Sequence, residues 1–119
     1  MARDSLRAAK SLKDRRNYRS SVSRSYYAAF SLATSQLARL GVGFYRYEHP
    51  LHNRVRKLVK QHLTALGKPN NADLCSVLNG LYKARLDADY VSGVTIDEPV
   101  ARNMIRDACR AFRILGVEP

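Results

Sequence analysis

Two segments of the chain carry polar side chains at positions where helical periodicity predicts burial. The segment from Ser23 to Gly41 has Tyr26 on its apolar stripe, and the segment from Leu81 to Val91 has Arg85 there. Burying a hydroxyl or a guanidinium without partners costs several kcal/mol. The pattern therefore indicates either a fixed internal polar network or a functional cleft.

The spacing around Arg85 predicts an ion pair. Asp89 follows it by four residues, so the two side chains share one helix face at the edge of the core, where a charge needs partners. A hydroxyl of Tyr26 or Tyr27 could complete the set. One interpretation is an interhelical polar clasp that also includes Tyr90, and the other makes Arg85, Asp89 and Tyr90 a catalytic site. The sequence leaves both open.

A second candidate centre lies in a loop rich in glycine and aromatic residues. Arg46, His49 and His52 are close together there. Imidazoles near an arginine suit RNA contact or cleavage, which requires proton transfer at the 2′-hydroxyl and positive charge at the phosphate. With only Glu48 as a further ligand, the spacing does not suit a metal site. Because phosphate-cradling and dinucleotide motifs are also absent from the sequence, we expect no metal and no cofactor.

Charge is the strongest bulk signal. The chain of 119 residues has 21 Lys and Arg against 10 Asp and Glu, a net charge of +11, and Arg outnumbers Lys by 15 to 6. Such a field attracts polyanions, and Arg suits bidentate phosphate contact. RNA or another nucleic acid is the expected partner, although a charged partner protein would also account for the basic surface. The candidate contact residues are Arg24, Tyr27, Arg46, Arg54, Arg56, Lys57 and Lys60.

Apolar periodicity predicts helices almost throughout and no strands, so we expect one all-α domain over residues 1–119. The expected fold is an antiparallel up-and-down bundle of four or five helices. The long second helix should bury Val22, Tyr26, Ala29, Phe30, Ala33, Leu37 and Leu40, and His62 should face inward from the third. The predicted spans are Ser5–Asp14 with Asp4 or Ser5 as cap, Ser20 or Ser21 to Gly41, Pro50–Leu66, Asn71–Gly93, and Val100–Leu115 with Asp97 as cap.

The remaining features favour a reducing compartment. Cys75 and Cys109 are 34 positions apart and form no C-x-x-C pair, which argues against a secreted disulfide scaffold. The sequence contains no apolar run near the ~20 residues that span a bilayer, and its start lacks a signal-peptide core. We expect a cytoplasmic protein with no membrane contact.

The segments SRSYYAAF, EHPLHNRV and RLDADY, together with the closing helix, resemble the HEPN superfamily, particularly its small stand-alone prokaryotic members. The likeness extends from about Arg19 to Leu115. It implies a helical bundle that often pairs into a symmetric homodimer. Many members are RNases in toxin–antitoxin or antiviral defence systems, and some pair with a nucleotidyltransferase-like protein.

The resemblance also implies a catalytic arginine followed after four to six residues by a histidine. Here Arg85 is followed after four residues by Tyr90. A phenol with an ordinary pKa of about 10 is a poor general base near neutral pH. We therefore expect an RNA-associated domain that has lost catalysis. The alternatives are an active metal-independent RNase, which would use Arg85 with Tyr90 or Arg46 with His52, and an interaction subunit for a nucleotidyltransferase or defence complex.

Overall fold

A computed structural model of the protein describes residues 1–42 and 52–119. Over these residues the chain forms five α-helices and one 3₁₀ turn, and no strand occurs in them, which confirms the predicted all-α fold. The helices pack as an up-and-down bundle. They are α1 (Ala2–Asp14), α2 (Tyr18–Arg39), α3 (His52–His62), α4 (Lys68–Tyr90) and α5 (Glu98–Ile114), with the 3₁₀ turn at Thr64–Leu66.

Four helix starts differ from the prediction, and that of α5 at Glu98 comes two residues before the predicted Val100. The amide of Ser5 donates to the carbonyl of Met1 at 3.0 Å, so α1 is already helical from Ala2 and neither Asp4 nor Ser5 caps it. The second helix begins two or three residues before the predicted serines. The fourth begins at Lys68 because Pro69, whose missing N–H costs nothing there, fits its first turn. The predicted Asp97 cap of α5 is confirmed, since its carboxylate accepts from the Val100 amide at 3.2 Å.

The central helix of the bundle is α2, which packs against all four others. Its predicted stripe is buried from Val22 to Leu37 except at Phe30, which is half-buried, and Tyr26 is only 3% exposed. Leu40 was wrongly predicted to be buried and is exposed, because the helix has ended at Arg39 and Gly41 turns the chain with φ of 79°. Alanines at several α2 positions bring neighbouring helices close to it.

The C-terminal end of α4 is fixed by Arg19 on α2. Its guanidinium donates to the carbonyls of Asp87, Ala88 and Val91 at 3.2, 3.0 and 3.1 Å, and also to that of Val94. The carbonyl of Ala88 is one that a helix end leaves without an intrahelical partner, whereas that of Asp87 also accepts from the Val91 amide. Arg19 therefore determines where the last turn of α4, which carries Asp89 and Tyr90, lies against α2.

The N-terminal end of α4 is fixed to α3 by a buried asparagine. Asn71 donates through Nδ2 to the carbonyls of Val59 and Leu63 at 2.9 and 3.1 Å. The predicted inward position of His62 is wrong, because α3 ends there and the buried position passes to Leu63. A cleft lies beside this junction, lined by residues of both helices.

Candidate nucleic-acid interface

A cleft of about 950 Å³ lies between α3, the 3₁₀ turn and the first turns of α4. We call it the basic cleft. No carboxylate is found among the described residues that line it. Its walls carry four cationic side chains on a largely apolar floor. The lining residues are Arg56, Lys57, Lys60, Thr64, Gly67, Lys68, Asn71, Ala72 and Cys75.

Helix periodicity explains the charge of the cleft. Val55 and Val59 bury one face of α3, so the intervening Arg56, Lys57 and Lys60 project toward the cleft and solvent. They form no ion pair with any carboxylate in the described part of the chain. The cleft therefore holds positive charge that an external anion can neutralise.

Two lining residues of the cleft were missed from sequence. Lys68 is the first residue of α4, and it reaches the cleft only because α4 runs back along α3. Asn71 was taken as a helix start, whereas its buried side chain holds the two helices together. Cys75 lies on the floor, where burial raises the pKa of its thiol despite the nearby charges of Arg56 and Lys60.

A smaller groove of about 390 Å³ adjoins the basic cleft, and Lys57 lines both. We call it the Tyr82 groove. It is lined by His52, Asn53, Arg54, Lys57 and Tyr82. The predicted contact residues Arg54, Arg56, Lys57 and Lys60 therefore all border one continuous region along α3.

His52 is buried beneath this groove and both of its ring nitrogens are bonded. Nε2 lies 3.0 Å from Asn79 Oδ1 and Nδ1 lies 3.1 Å from the Tyr26 hydroxyl. Because the Asn79 oxygen only accepts, Nε2 carries the proton and Nδ1 accepts from Tyr26. Burial lowers the pKa of His52, against the opposing bond to Asn79 and with help from the charge of Arg56. His52 is thus a neutral imidazole with no free nitrogen for proton transfer.

The predicted partners of His52 in the loop centre, Arg46 and His49, lie outside the described residues. The contacts of His52 with Tyr26 and Asn79 were not anticipated. A signal was present in the sequence, since Tyr26 needed a buried partner for its hydroxyl, but its location on α3 depends on the tertiary fold.

Arg85 lies at the other end of α4 among polar and aromatic partners. Its Nε donates to Asp89 Oδ2 at 3.1 Å and its Nη2 donates to the Tyr27 hydroxyl at 3.0 Å. Ser23 Oγ donates to the same carboxylate oxygen at 3.3 Å. The side chains of Arg85 and Asp89 are 18% and 28% exposed. We call Arg85, Asp89, Tyr27 and Ser23 the Arg85 cluster.

Three tyrosine rings surround the Arg85 guanidinium. Its central carbon is 5.3 Å from the ring centroid of Tyr27, 5.6 Å from that of Tyr90 and 5.8 Å from that of Tyr26. Burial raises the pKa of the Tyr26 hydroxyl well above its ordinary value, although Arg85 opposes this. Tyr90 is 70% exposed and Tyr27 is 38% exposed.

The structure thus brings together the predicted catalytic residues Arg85, Asp89 and Tyr90, and it gives Arg85 an intramolecular carboxylate. The hydroxyl partner comes from Tyr27, one of the two tyrosines considered. An incoming phosphate would have to compete with Asp89 for the guanidinium. In the part of the chain that is described, no histidine hydrogen-bonds to this cluster.

The predicted contact residues that the structure describes fall into two regions, and Arg46 lies outside the described residues. Exposed Arg24 and Tyr27 border a shallow depression between α1, α2 and Asp89, whereas the α3 cations border the basic cleft. The two regions lie at opposite ends of α4. The described contact residues therefore do not form a single compact nucleic-acid surface.

Two general features complete the description of the interface. Residues 1–42 and 52–119 contain no group of three or more His, Cys, Asp and Glu side chains arranged to hold a metal ion. Among the described helices, none combines the length and the apolar character that crossing a membrane requires.

The HEPN domain family matches residues 1–117 of the 119-residue chain. A search of curated proteins found no match.

Proposed function

The chain belongs to the HEPN domain family, and from that premise we propose that it binds RNA through the basic cleft without cleaving it. HEPN domains often bind RNA or dimerise. The observation that carries the proposal is the grouping of four cationic side chains, with no carboxylate among the described lining residues, around one cleft.

The electrostatics of the cleft support a phosphate ligand. Each lysine or arginine that neutralises a phosphate releases condensed counterions, which makes binding favourable at moderate salt. The net charge of +11 adds a long-range attraction that raises the association rate. The cleft concentrates this attraction locally, because Arg56, Lys57, Lys60 and Lys68 converge on the same space.

The Arg85 cluster supports binding without cleavage. Metal-independent RNA cleavage requires a group that accepts the 2′-hydroxyl proton near neutral pH. The residue at the position of the family's histidine is Tyr90, whose ring lies beside Arg85. Arg85 is already paired with Asp89, so its charge is largely neutralised within the fold. We propose that the cluster stabilises the α2–α4 contact.

The experiment that tests the binding site is a double charge reversal with a matched control. Lys60→Glu/Lys68→Glu changes the net charge by −4, and so does Lys10→Glu/Lys83→Glu at exposed positions outside the cleft. Affinity for a fluorescein-labelled single-stranded RNA is measured by anisotropy. We expect the cleft variant to lose at least tenfold in affinity and the control to lose less than about threefold. Equal losses of affinity in the two variants would show that binding depends only on net charge and would contradict the assignment of the cleft as the binding site.

A cleavage assay tests the second part of the proposal. We expect purified protein to leave a labelled transcript intact in the presence of EDTA over hours at neutral pH. Degradation that disappears in Arg85→Ala would instead support the ribonuclease alternative.

The homodimer, the toxin–antitoxin or defence role and the nucleotidyltransferase-like partner remain predictions from the family resemblance. Light scattering coupled to size exclusion, with and without RNA, tests the homodimer. A monomer mass under both conditions would contradict it.

A further inference from the structure

We propose that the Tyr82 groove binds an unpaired nucleobase of the RNA strand whose phosphates occupy the basic cleft. The inference rests on the proposed function and adds a site to it. The groove and the cleft share Lys57, so one strand can pass from one to the other without crossing a barrier of opposite charge.

The ring of Tyr82 is held in place before any ligand arrives. It stacks on the imidazole of His52 with centroids 4.1 Å apart and an interplanar angle of 4°. The Tyr26 ring lies against it at 5.6 Å, and the hydrogen bonds to Tyr26 and Asn79 fix the imidazole. A ring fixed in this way loses little conformational entropy when a base stacks on it. The stacked Tyr82 and His52 rings therefore form a pre-organised aromatic platform.

The surroundings of the platform suit a nucleobase. The groove of about 390 Å³ is large enough for a single base, and Tyr82, which lines it, is half-buried. Exposed Asn53 contributes an amide with donors and an acceptor at the rim, which can pair with a base edge. Lys57 contributes positive charge on the side where the groove meets the cleft.

The register along α4 places the two sites within reach of one strand. Cys75 on the cleft floor and Tyr82 in the groove are seven residues apart, which is two helical turns or about 10 Å. Side chains at this spacing lie on the same helix face. A strand with phosphates beside Lys60 and Lys68 can therefore present to Tyr82 a base that lies a few nucleotides further along.

A paired strand cannot use this platform. In an A-form duplex the bases are stacked inside the helix, and aromatic side chains stack only on bases that are splayed out. The basic cleft binds phosphates of either form, whereas the Tyr82 groove adds affinity only for an unpaired base. Tyr82 is therefore a specificity residue for single-stranded RNA.

The affinity test compares Tyr82→Leu with Tyr82→Phe. The first removes the aromatic face and the second retains it without the hydroxyl. We expect Tyr82→Leu to weaken binding of a single-stranded oligouridylate by roughly tenfold and to leave binding of a blunt RNA duplex unchanged. Tyr82→Phe should match the parent protein on both. Equal weakening on both ligands, or no weakening on the single strand, would overturn the platform.

A fluorescence test avoids dependence on the stability of Tyr82→Leu. The chain contains no tryptophan, so Tyr82→Trp introduces one reporter that keeps an aromatic face in the groove. Oligouridylate should quench its emission, whereas the emission of Tyr90→Trp, at an exposed position in the Arg85 region, should stay unchanged. RNA binding without quenching of Tyr82→Trp would contradict the inference.

The two proposals fail in different ways. If Lys60→Glu/Lys68→Glu binds RNA as well as its charge-matched control, the basic cleft is wrong, and the platform beside it is overturned as well. If the cleft variant loses affinity while the Tyr82 variants behave like the parent protein, only the base site is wrong.

Discussion

The basic side chains at the two ends of α4 have different electrostatic surroundings. At the N-terminal end, Lys68 joins three cations of α3 around a cleft without a carboxylate among its described residues. At the C-terminal end, Arg85 is bonded to Asp89 and Tyr27. The cations of the basic cleft can exchange bound water and counterions for phosphate, but Arg85 must first break its ion pair with Asp89. An arginine at the position of a family's catalytic arginine therefore does not by itself identify a functional site.

The difference follows from what each end packs against. Lys57, Lys60 and Lys68 of the cleft are exposed, so their charges remain hydrated and cost little. Arg85 lies at the edge of the α2–α4 contact, where its side chain is 18% exposed and an unpaired charge would be expensive. We therefore expect substitutions at the two ends to separate RNA affinity from stability.

The largest effect on stability is expected from Arg85→Ala. It leaves the Asp89 carboxylate and the Tyr27 hydroxyl without their charged donor, and hydrogen bonds to charged groups contribute about 2 kcal/mol. Urea titration followed by circular dichroism should show that loss in the free energy of unfolding, while RNA affinity stays within about twofold.

The matched control for this substitution is Arg102→Ala on α5. Arg102 also has an i, i+4 carboxylate partner, Glu98, but the two side chains are 61% and 39% exposed. We expect a loss below about 0.5 kcal/mol in the free energy of unfolding. If Arg85→Ala instead abolishes RNA binding in a folded protein, the contrast between the two ends of α4 is wrong.

A smaller effect is expected from Asn71→Ala, which tests how the cleft is held open. The substitution removes two side-chain hydrogen bonds at the junction of α3 and α4 and should cost about 1 kcal/mol of unfolding free energy. The carbonyls of Val59 and Leu63 keep their main-chain donors, the amides of Leu63 and Leu66. Because the junction positions Lys60 and Lys68, RNA affinity should fall as well. The exposed neighbour offers a control, and Asn70→Ala should change neither quantity.

The smallest effect is expected from acidification. The pKa of His52 is lowered by burial in the folded protein, so the unfolded chain takes up its proton first as the pH falls below the ordinary value of 6.5. The charge of Arg56 on α3 further opposes an imidazolium, and Asn79 and the Tyr26 hydroxyl offer no counter-charge. The free energy of unfolding should therefore decline on going from pH 7.5 to pH 5.5.

Variants at two histidines measure how much His52 contributes to the pH dependence of the free energy of unfolding. His52→Gln should flatten the decline, and His62→Gln, at the exposed end of α3, should reproduce the parent curve. A His52→Gln protein with an unchanged pH profile would show that the buried network does not titrate in this range.

The sequence predicted the fold well where the signal is local. The stripe of α2 and the Asp97 cap follow from residue spacing and capping chemistry alone, and both are present in the structure. Helix starts were less certain, because capping preferences are weak beside a main-chain bond such as that from Ser5 to Met1. The exposed position of His62 depends on where α3 stops, which no periodicity reveals.

The interface was predicted only in part for a similar reason. The charges of Arg56, Lys57 and Lys60 are visible in one helical turn of sequence, but Lys68 joins them only through the antiparallel return of α4. Arg19, which fixes the end of α4, bonds to carbonyls about seventy residues away. Such contacts depend on the tertiary arrangement, because every residue has a main-chain carbonyl and residue types do not indicate which one accepts the bond.

The most direct test of the central claim is the salt dependence of RNA affinity. The logarithm of the binding constant for single-stranded RNA should fall linearly with the logarithm of the salt concentration. The slope should become shallower by about 1.4 in Lys60→Glu/Lys68→Glu, since each phosphate contact on a single strand contributes about 0.7. The charge-matched Lys10→Glu/Lys83→Glu should keep the parent slope. Parallel slopes for all three proteins would contradict the assignment of the basic cleft as the site where RNA phosphates bind.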